Sequence, residues 1–326
     1  MAIKVIHNHV DRPNGSKLKI EAFSKPKVLV ILGPTGSGKT RLGVELAREF
    51  GGEIISADSR QVYKGLDVGS GKDLAEYKVG NKIIPCHLID VADPKKGFDL
   101  AQYQELAFRA IAGVIKRGHL PIIVGGSGLY LQALVDNYSL DQVRAQSPRR
   151  AQWEKWSASR LFQELSRLKP EFAARLNNSD KNNPRRLARY LEIAEAGDLD
   201  KVKKRESSYD FLLLGLSWPD DVLRKRIEFR ILERLEKEGM IAEVERLNKG
   251  GLSWERLQSF GLEYKFISQH LLGELAYSEM IEKLSLASYR FAKRQKTWFK
   301  RWEKQGAKIS WVKDAACAEK IIKKWL

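Results

Sequence analysis

The first half of the chain alternates two periodicities. Short runs of apolar residues, "KVLVIL" (Lys27–Leu32), "EIISAD" (Glu53–Asp58) and "LPIIVGG" (Leu120–Gly126), are separated by stretches in which apolar positions return every third or fourth residue. The runs read as strands buried on both faces and the stretches as helices, the alternation that a parallel α/β sheet requires. Leu42, Leu46, Ala47 and Phe50 place a helix directly after the first strand. "KIIPCHLID" (Lys82–Asp90) is a weaker extended segment, and "GGSG" (Gly125–Gly128) breaks the third run before a helix starting near Leu129. "FLLLGL" (Phe211–Leu216) is expected to return to the same sheet. Between about 140 and 205 the pattern turns helical, rich in Arg, Lys, Gln, Glu and Ala, which predicts a helical insertion over the sheet. From Asp220 helices dominate until "AKISWV" (Ala307–Val312), the expected last strand. Leu223, Ile227, Ile231 and Leu235 recur every four residues, so that helix should bury a stripe.

Composition narrows the class. At 326 residues the chain has room for one large or two ordinary domains. Hydrophobic content of 43% with 30% charged residues fits a soluble globular protein, and no apolar run approaches the roughly 18 residues of a membrane span. The N-terminal stretch lacks the apolar segment of a secretory signal, and residues 1–25 read as a disordered extension. Cys86 and Cys317 form no framework of bridges or metal ligands, so a reducing, cytoplasmic compartment without a membrane partner is expected. A formal charge of +17 predicts a polyanionic partner, though charge alone does not separate RNA from DNA or acidic lipid, and a merely basic surface remains an alternative.

Chemistry enters with Gly33-Pro34-Thr35-Gly36-Ser37-Gly38-Lys39-Thr40, which matches G-x-x-x-x-G-K-[ST] between a strand and a helix. Glycines let backbone N–H groups wrap oxyanions, Lys39 adds a point charge, and Thr40 is placed to hold Mg²⁺. Such loops belong to nucleotide-binding proteins, but the motif is silent on which phosphate it holds. The expected fold is therefore a P-loop NTPase-like α/β core, formed by 26–139 and 206–326 with C-terminal helices, and the 140–205 insertion. Asp58, at the carboxyl end of the second strand, can serve as metal ligand, general base or helix N-cap. Ser127 can touch a ligand, although tight packing explains the glycines around it equally well. Arg226, Arg230 and Arg234 form a row whose planar forks suit phosphate oxygens; a salt-bridged face with Glu228, Glu233 and Glu236 is the alternative. In "YRFAKRQKTWFKRW" (Tyr289–Trp302), Lys293, Arg294, Thr297 and Arg301 share one helical side, with Phe291, Trp298 and Trp302 inward. That mixture suits RNA, or an ordinary amphipathic helix.

Six motifs in order, "GPTGSGKT", "GGEIISADSRQVYKGLDVGS", "HLIDVADP", "PIIVGGSGLYLQAL", "NNPRRLARYLEIAEAG" and "AKRQKTWFKRW", resemble the tRNA dimethylallyltransferases, which prenylate N6 of the adenosine 3′ to the anticodon, position 37. The resemblance runs from Lys27 to Trp302. It implies that the loop holds the diphosphate of dimethylallyl diphosphate rather than a nucleotide, and no N-K-x-D guanine-reading motif contradicts it. It further implies Asp58 as the base for the adenine amine, and Lys39, Thr40 with Mg²⁺, and Arg230 as stabilisers of the leaving diphosphate. Thr35 and Ser37 would bond that diphosphate. Contacts to a tRNA anticodon stem-loop are implied at Asp58, Ser59, Arg60 and Gln61, at Ser127, at Arg185, Arg186, Leu187, Ala188 and Arg189, and at Phe260, Gly261, Leu262, Glu263, Tyr264 and Lys265. The expected working unit is a monomer.

The chain departs from the family pattern in places. Glu263 stands where a glycine is usual, which should remove a positive-φ turn. "GSGKD" (Gly69–Asp73) replaces G-T-A-K-P, Cys86 replaces a histidine, and Ser127 replaces threonine. Rival readings are an adenylate isopentenyltransferase acting on free nucleotides, a P-loop kinase of a small metabolite, and a non-catalytic RNA-binding protein. The first has no use for +17. ATP turnover without tRNA would mark the second, and the retained Lys39, Asp58 and Arg230 argue against the third.

Overall fold

The computed structural model describes residues 24–140, 149–195 and 205–326. Most of the expected 1–25 extension, and residues 141–148 and 196–204 of the expected insertion, lie outside them. The chain begins β1 (Lys27–Leu32), α1 (Lys39–Phe50), β2 (Gly52–Ala57). A small hairpin, β3 (Lys78–Val79) with β4 (Lys82–Ile83), and a short β5 (Cys86–His87) are all that pairs near the segment read as extended. There follow α2 (Leu100–Lys116), β6 (Leu120–Gly125) and α3 (Gly128–Val135). The middle segment contains α4 (Arg150–Trp153), α5 (Ala158–Leu168), α6 (Pro170–Ala174), α7 (Asn178–Lys181) and α8 (Pro184–Glu195). The last part runs β7 (Asp210–Leu216), α9 (Asp220–Glu236), α10 (Met240–Lys249), α11 (Trp254–Ser259), α12 (Leu262–Leu271), α13 (Tyr277–Lys304), β8 (Ile309–Val312) and α14 (Ala315–Trp325).

Six strands form one parallel sheet in the order β5-β2-β6-β1-β7-β8. This is the P-loop NTPase-like α/β fold. Alternation along β1 sorts its side chains between two layers. Val28, Val30 and Leu32 pack with α2, α3, Phe299 and Trp302, whereas Leu29 and Ile31 pack with α1 and with Ala318 and Ile322 of α14. A third cluster joins the α9 stripe Leu223, Ile227, Ile231 and Leu235 to Val62, Tyr264 and Leu284. The middle helices have a core of their own, built on Trp153, Leu161, Leu165, Leu187 and Leu191. Local signals set the element ends. Gly51 closes α1 in a left-handed conformation, and at the start of α2 the Asp99 and Gln102 side chains each accept from the other's backbone N–H at 2.9 Å. No helix among the described residues is long and apolar enough to cross a membrane.

At the amino ends of the strands, Glu53 is buried against a fork. Arg117 donates to it at 2.8 and 2.7 Å, and His87 lies 2.6 Å away. Arg117's hydrogen bonds, aided by His87 and opposed by burial, hold the Glu53 carboxyl down at about 2, below its ordinary value of 4.5. A depressed carboxylate stabilises the fold above its unfolded pKa, and that stability is lost as pH falls through 4.5 towards 2. The contribution is about 3 kcal/mol. Glu53→Gln should therefore melt earlier at pH 7 and lose less stability than wild type between about pH 5 and pH 2. Thermal melts across that range would show it; parallel acid limbs in the two proteins would refute it.

Candidate active site

Three neighbouring strands deliver the site at their carboxyl ends: β1 feeds the phosphate loop, β2 ends at Asp58, and β6 ends at Gly125–Ser127. Gly36 and Gly38 adopt φ of 76° and 89°, the left-handed geometry that curls the loop around its amides. The loop is strapped from outside. Gln295 accepts from the Thr35 N–H at 2.8 Å and donates to the Gly126 carbonyl at 2.9 Å, joining two strand ends. The Trp218 indole N–H donates to the Ser37 carbonyl at 2.8 Å, and Arg226 Nε donates to the Gly36 carbonyl at 2.8 Å. Thr35, Gly36, Gly38, Lys39 and Thr40 line the cleft. Gly33, Pro34 and Ser37 do not. The Ser37 hydroxyl is buried and has no partner among the described residues. Burial lowers the Lys39 pKa; Asp58 and Asp73 oppose the shift, and Arg230 and Arg234 add to it.

Asp58 divides its carboxylate. Oδ1 accepts from the Arg60 N–H at 2.9 Å and lies 3.5 Å from the Gln61 N–H, while Oδ2 has no donor among the described residues. One oxygen caps the turn and the other is open to the cleft. Ser127 Oγ accepts from the Ser59 N–H at 3.2 Å. Arg60 donates to the Phe260 carbonyl at 2.6 Å and lies over the Phe291 ring. Gln61 links Ser56 on β2 to the Gly71 carbonyl, both at 2.8 Å. The structure thus places Asp58, Arg60 and Gln61 on the cleft, and hydrogen bonds tie Ser59 to Ser127 and Arg60 to Phe260 just behind it, none of Ser59, Ser127 and Phe260 lining the cleft itself. Packing accounts for the glycines beside Ser127: a Cβ at Gly126 would lie 2.5 Å from Gln295, and one at Gly128 2.4 Å from the Trp298 ring.

The facing wall carries the arginine row, and its partners differ from those expected. Glu228 pairs with Arg224 and Glu233 with Lys237. Arg230 and Arg234 turn to Asp73, at 2.5 and 3.3 Å, with Glu76 4.0 Å from Arg230. Burial raises the Glu76 pKa. Two buried charges fasten the loop bearing Asp73. Glu243 accepts from the N–H groups of Asp67, Val68 and Gly69 at 2.6–3.1 Å and from the Tyr264 hydroxyl at 2.8 Å. The Lys72 ammonium donates to the Tyr63 carbonyl, Asp67 and Asp90 at 2.9, 2.7 and 2.5 Å. None of Gln295, Trp218, Asp73, Lys72 or Glu243 was expected at the site. Gln295 left one trace, a polar residue within the buried series Ala292, Gln295, Phe299 and Trp302. Gln295→Leu should raise the donor KM about tenfold by releasing the Thr35 amide; steady-state kinetics with an unchanged KM would refute this.

Several expected contacts need correction. The left-handed residues are Gly261 and Leu262, at φ 75° and 41°, so no turn is lost at Glu263, which lies within α12. Its carboxyl lines the cleft with a pKa raised by burial and lowered in part by Arg60. Tyr264 is buried on Glu243 and Phe260 is nearly so, which leaves Lys265 as that segment's exposed side chain. Leu187 and Ala188 face the core of the middle helices and present no side chain to RNA. Arg185 and Arg186 are exposed on α8, with Arg186 paired to Asp180 and Arg189 to Glu192. None of these five lines the cleft. On α13, Phe291 lines the cleft and Trp298 is half-buried, while Lys293, Arg294, Thr297 and Arg301 are exposed.

The residues present fit Mg²⁺. The Thr40 hydroxyl is a hard oxygen donor on the cleft with no partner among the described residues, and this ion completes its shell with water and phosphate oxygens. No group of three His, Cys, Asp or Glu among the described residues forms a cage of its own.

A model of the IPP transferase family matches residues 61–302. The chain belongs to this family. Among curated IPP transferase relatives, tRNA dimethylallyltransferase 1 of Syntrophus aciditrophicus (strain SB) is 44% identical over 87% of this chain and 93% of its own. tRNA dimethylallyltransferase 2 of Syntrophotalea carbinolica is 46% identical over 88% and 94%. The crystal structure of the tRNA isopentenylpyrophosphate transferase of Bacillus halodurans superposes with a TM-score of 0.64 at 36% identity, covering 89% of this chain and 90% of that one. A eukaryotic dimethylallyltransferase solved acting on tRNA gives 0.70 at 25% identity, covering 89% and 75%. These relatives are prenyltransferases.

Proposed function

We propose that the chain transfers a dimethylallyl group from dimethylallyl diphosphate to N6 of adenosine 37 in tRNA. The observation that carries this reading is the free oxygen of Asp58 on the same cleft as Lys39, the loop amides and Arg230. A base faces the groups that stabilise an anionic leaving group. As the C–N bond forms, the allylic C–O bond breaks, diphosphate departs with the electron pair, and the N6 proton passes to Asp58 Oδ2. Lys39, the amides at the start of α1, the Thr35 hydroxyl and Arg230 meet the charge that grows on the diphosphate. Mg²⁺, held by Thr40 and by phosphate oxygens of the donor, would supply further neutralisation of that diphosphate and leave Asp58 Oδ2 free to take the proton.

The acceptor base must leave the anticodon stack to reach the cleft, at a cost of a few kcal/mol. The groups beside the opening suit such a base: Phe291 and the Arg60 plane for stacking, and Ser59, Gln61 and Ser127 for polar contact. The +17 charge supports a nucleic-acid acceptor over a free nucleotide. The test is to incubate the protein with dimethylallyl diphosphate, Mg²⁺ and unmodified tRNA, then digest and weigh the nucleosides. A gain of one prenyl unit on adenosine 37 is expected. Prenylation of free AMP alone, or ATP consumption with tRNA unaltered, would overturn the reading.

A further inference from the structure

We propose that Asp73 is an anionic stand-in for the diphosphate, holding Arg230 and Arg234 until the ligand displaces it and so setting how tightly donor and released diphosphate bind. The inference rests on reading the cleft as a diphosphate site. Its basis is one carboxylate shared by two guanidinium groups: Asp73 Oδ2 lies 2.5 Å from Arg230 and 3.3 Å from Arg234. The Arg234 side chain is only 13% exposed, and its Nε is buried without a partner among the described residues. A cation this enclosed needs an anion beside it, since an unpaired buried charge is strongly unfavourable. Asp73 meets that need when no ligand is bound.

A diphosphate brings more charge and more oxygens to the same forks. It and the carboxylate repel each other within a few ångströms, so occupancy by one disfavours the other. The geometry lets the carboxylate yield. Asp73 has φ 43°, precedes a short turn at Leu74–Tyr77, and makes no capping bond to the backbone with its side chain. The backbone beneath it is fixed by Lys72 on one side and by Glu243 through Asp67–Gly69. The side chain therefore swings on an anchored loop. Proline, the residue of the family pattern at this position, cannot take φ 43°. The carboxylate and this backbone conformation go together.

The test is calorimetric titration of wild type, Asp73→Asn and Asp73→Gly with inorganic diphosphate in Mg²⁺ buffer. Asparagine and glycine both accept left-handed backbone, so the fold is preserved. Both variants are expected to bind diphosphate at least about tenfold tighter, as removal of a like charge a few ångströms from the ligand requires. The KM for the prenyl donor should fall in step. Equal or weaker binding with an unshifted melting temperature overturns the inference, because Asp73 would then only orient the arginines. Failure of all three proteins to bind diphosphate overturns the reading of the cleft, and this inference with it.

Discussion

Asp58→Asn is expected to slow prenyl transfer about 10²–10⁴-fold, the usual contribution of a positioned general base. tRNA affinity should hold. Asparagine keeps an oxygen where Oδ1 accepts from Arg60 and Gln61, so the turn survives and only the open oxygen is replaced. Asp58→Ala removes both functions and should add a loss of thermal stability that the asparagine variant lacks. Single-turnover rates at saturating tRNA and donor separate chemistry from binding. A rate within tenfold of wild type for the asparagine variant would mean that the N6 proton leaves by another route.

Lys39→Met should cost about 10²–10³ in the same rate, with weaker retention of diphosphate, because one donor to the developing charge disappears. Lys39→Arg should recover little. The Lys39 ammonium lies 3.5 Å from the Pro34 carbonyl, and a longer, planar fork cannot place a compact point charge at the same spot. Burial lowers the Lys39 pKa. Its charge is therefore lost at a lower pH than an ordinary lysine's, and activity should decline on the alkaline side accordingly. Rates measured from neutral to alkaline pH would show that decline; a profile flat to the ordinary lysine range would contradict it.

The sheet was legible where local pattern and local cause coincide. β1, β2 and β6 are short, largely apolar runs that end at Gly or Asp, and the four-residue recurrence of α9 named its buried face residue by residue. Asp58 and the loop followed from strand ends and glycine spacing. What escaped was long-range. Gln295 acts on residues 260 and 169 positions away, and nothing local marks a glutamine as a strap. Arg230 had acids on its own helix at favourable spacing, yet its helix turns it towards Asp73, 157 positions back. Nothing local marks Glu243 in "MIAEVERLNK", and only the fold shows three backbone amides converging on it. The family's glycine pattern predicted a positive-φ turn lost at Glu263, whereas the positive-φ backbone lies at Gly261 and Leu262.

The pairing of β1 with β7 bears on how the protein is made. These strands are neighbours in the sheet, but the second emerges from the ribosome on the order of ten seconds or more after the first at ordinary rates of elongation. Until then the nascent chain carries an apolar strand with one edge bare, the kind of surface that chaperones bind and that aggregation exploits. The middle helices, with a core of their own, are able to collapse during that wait. Slowing translation after residue 216 should leave soluble yield unchanged, whereas slowing it before β7 prolongs the exposed interval.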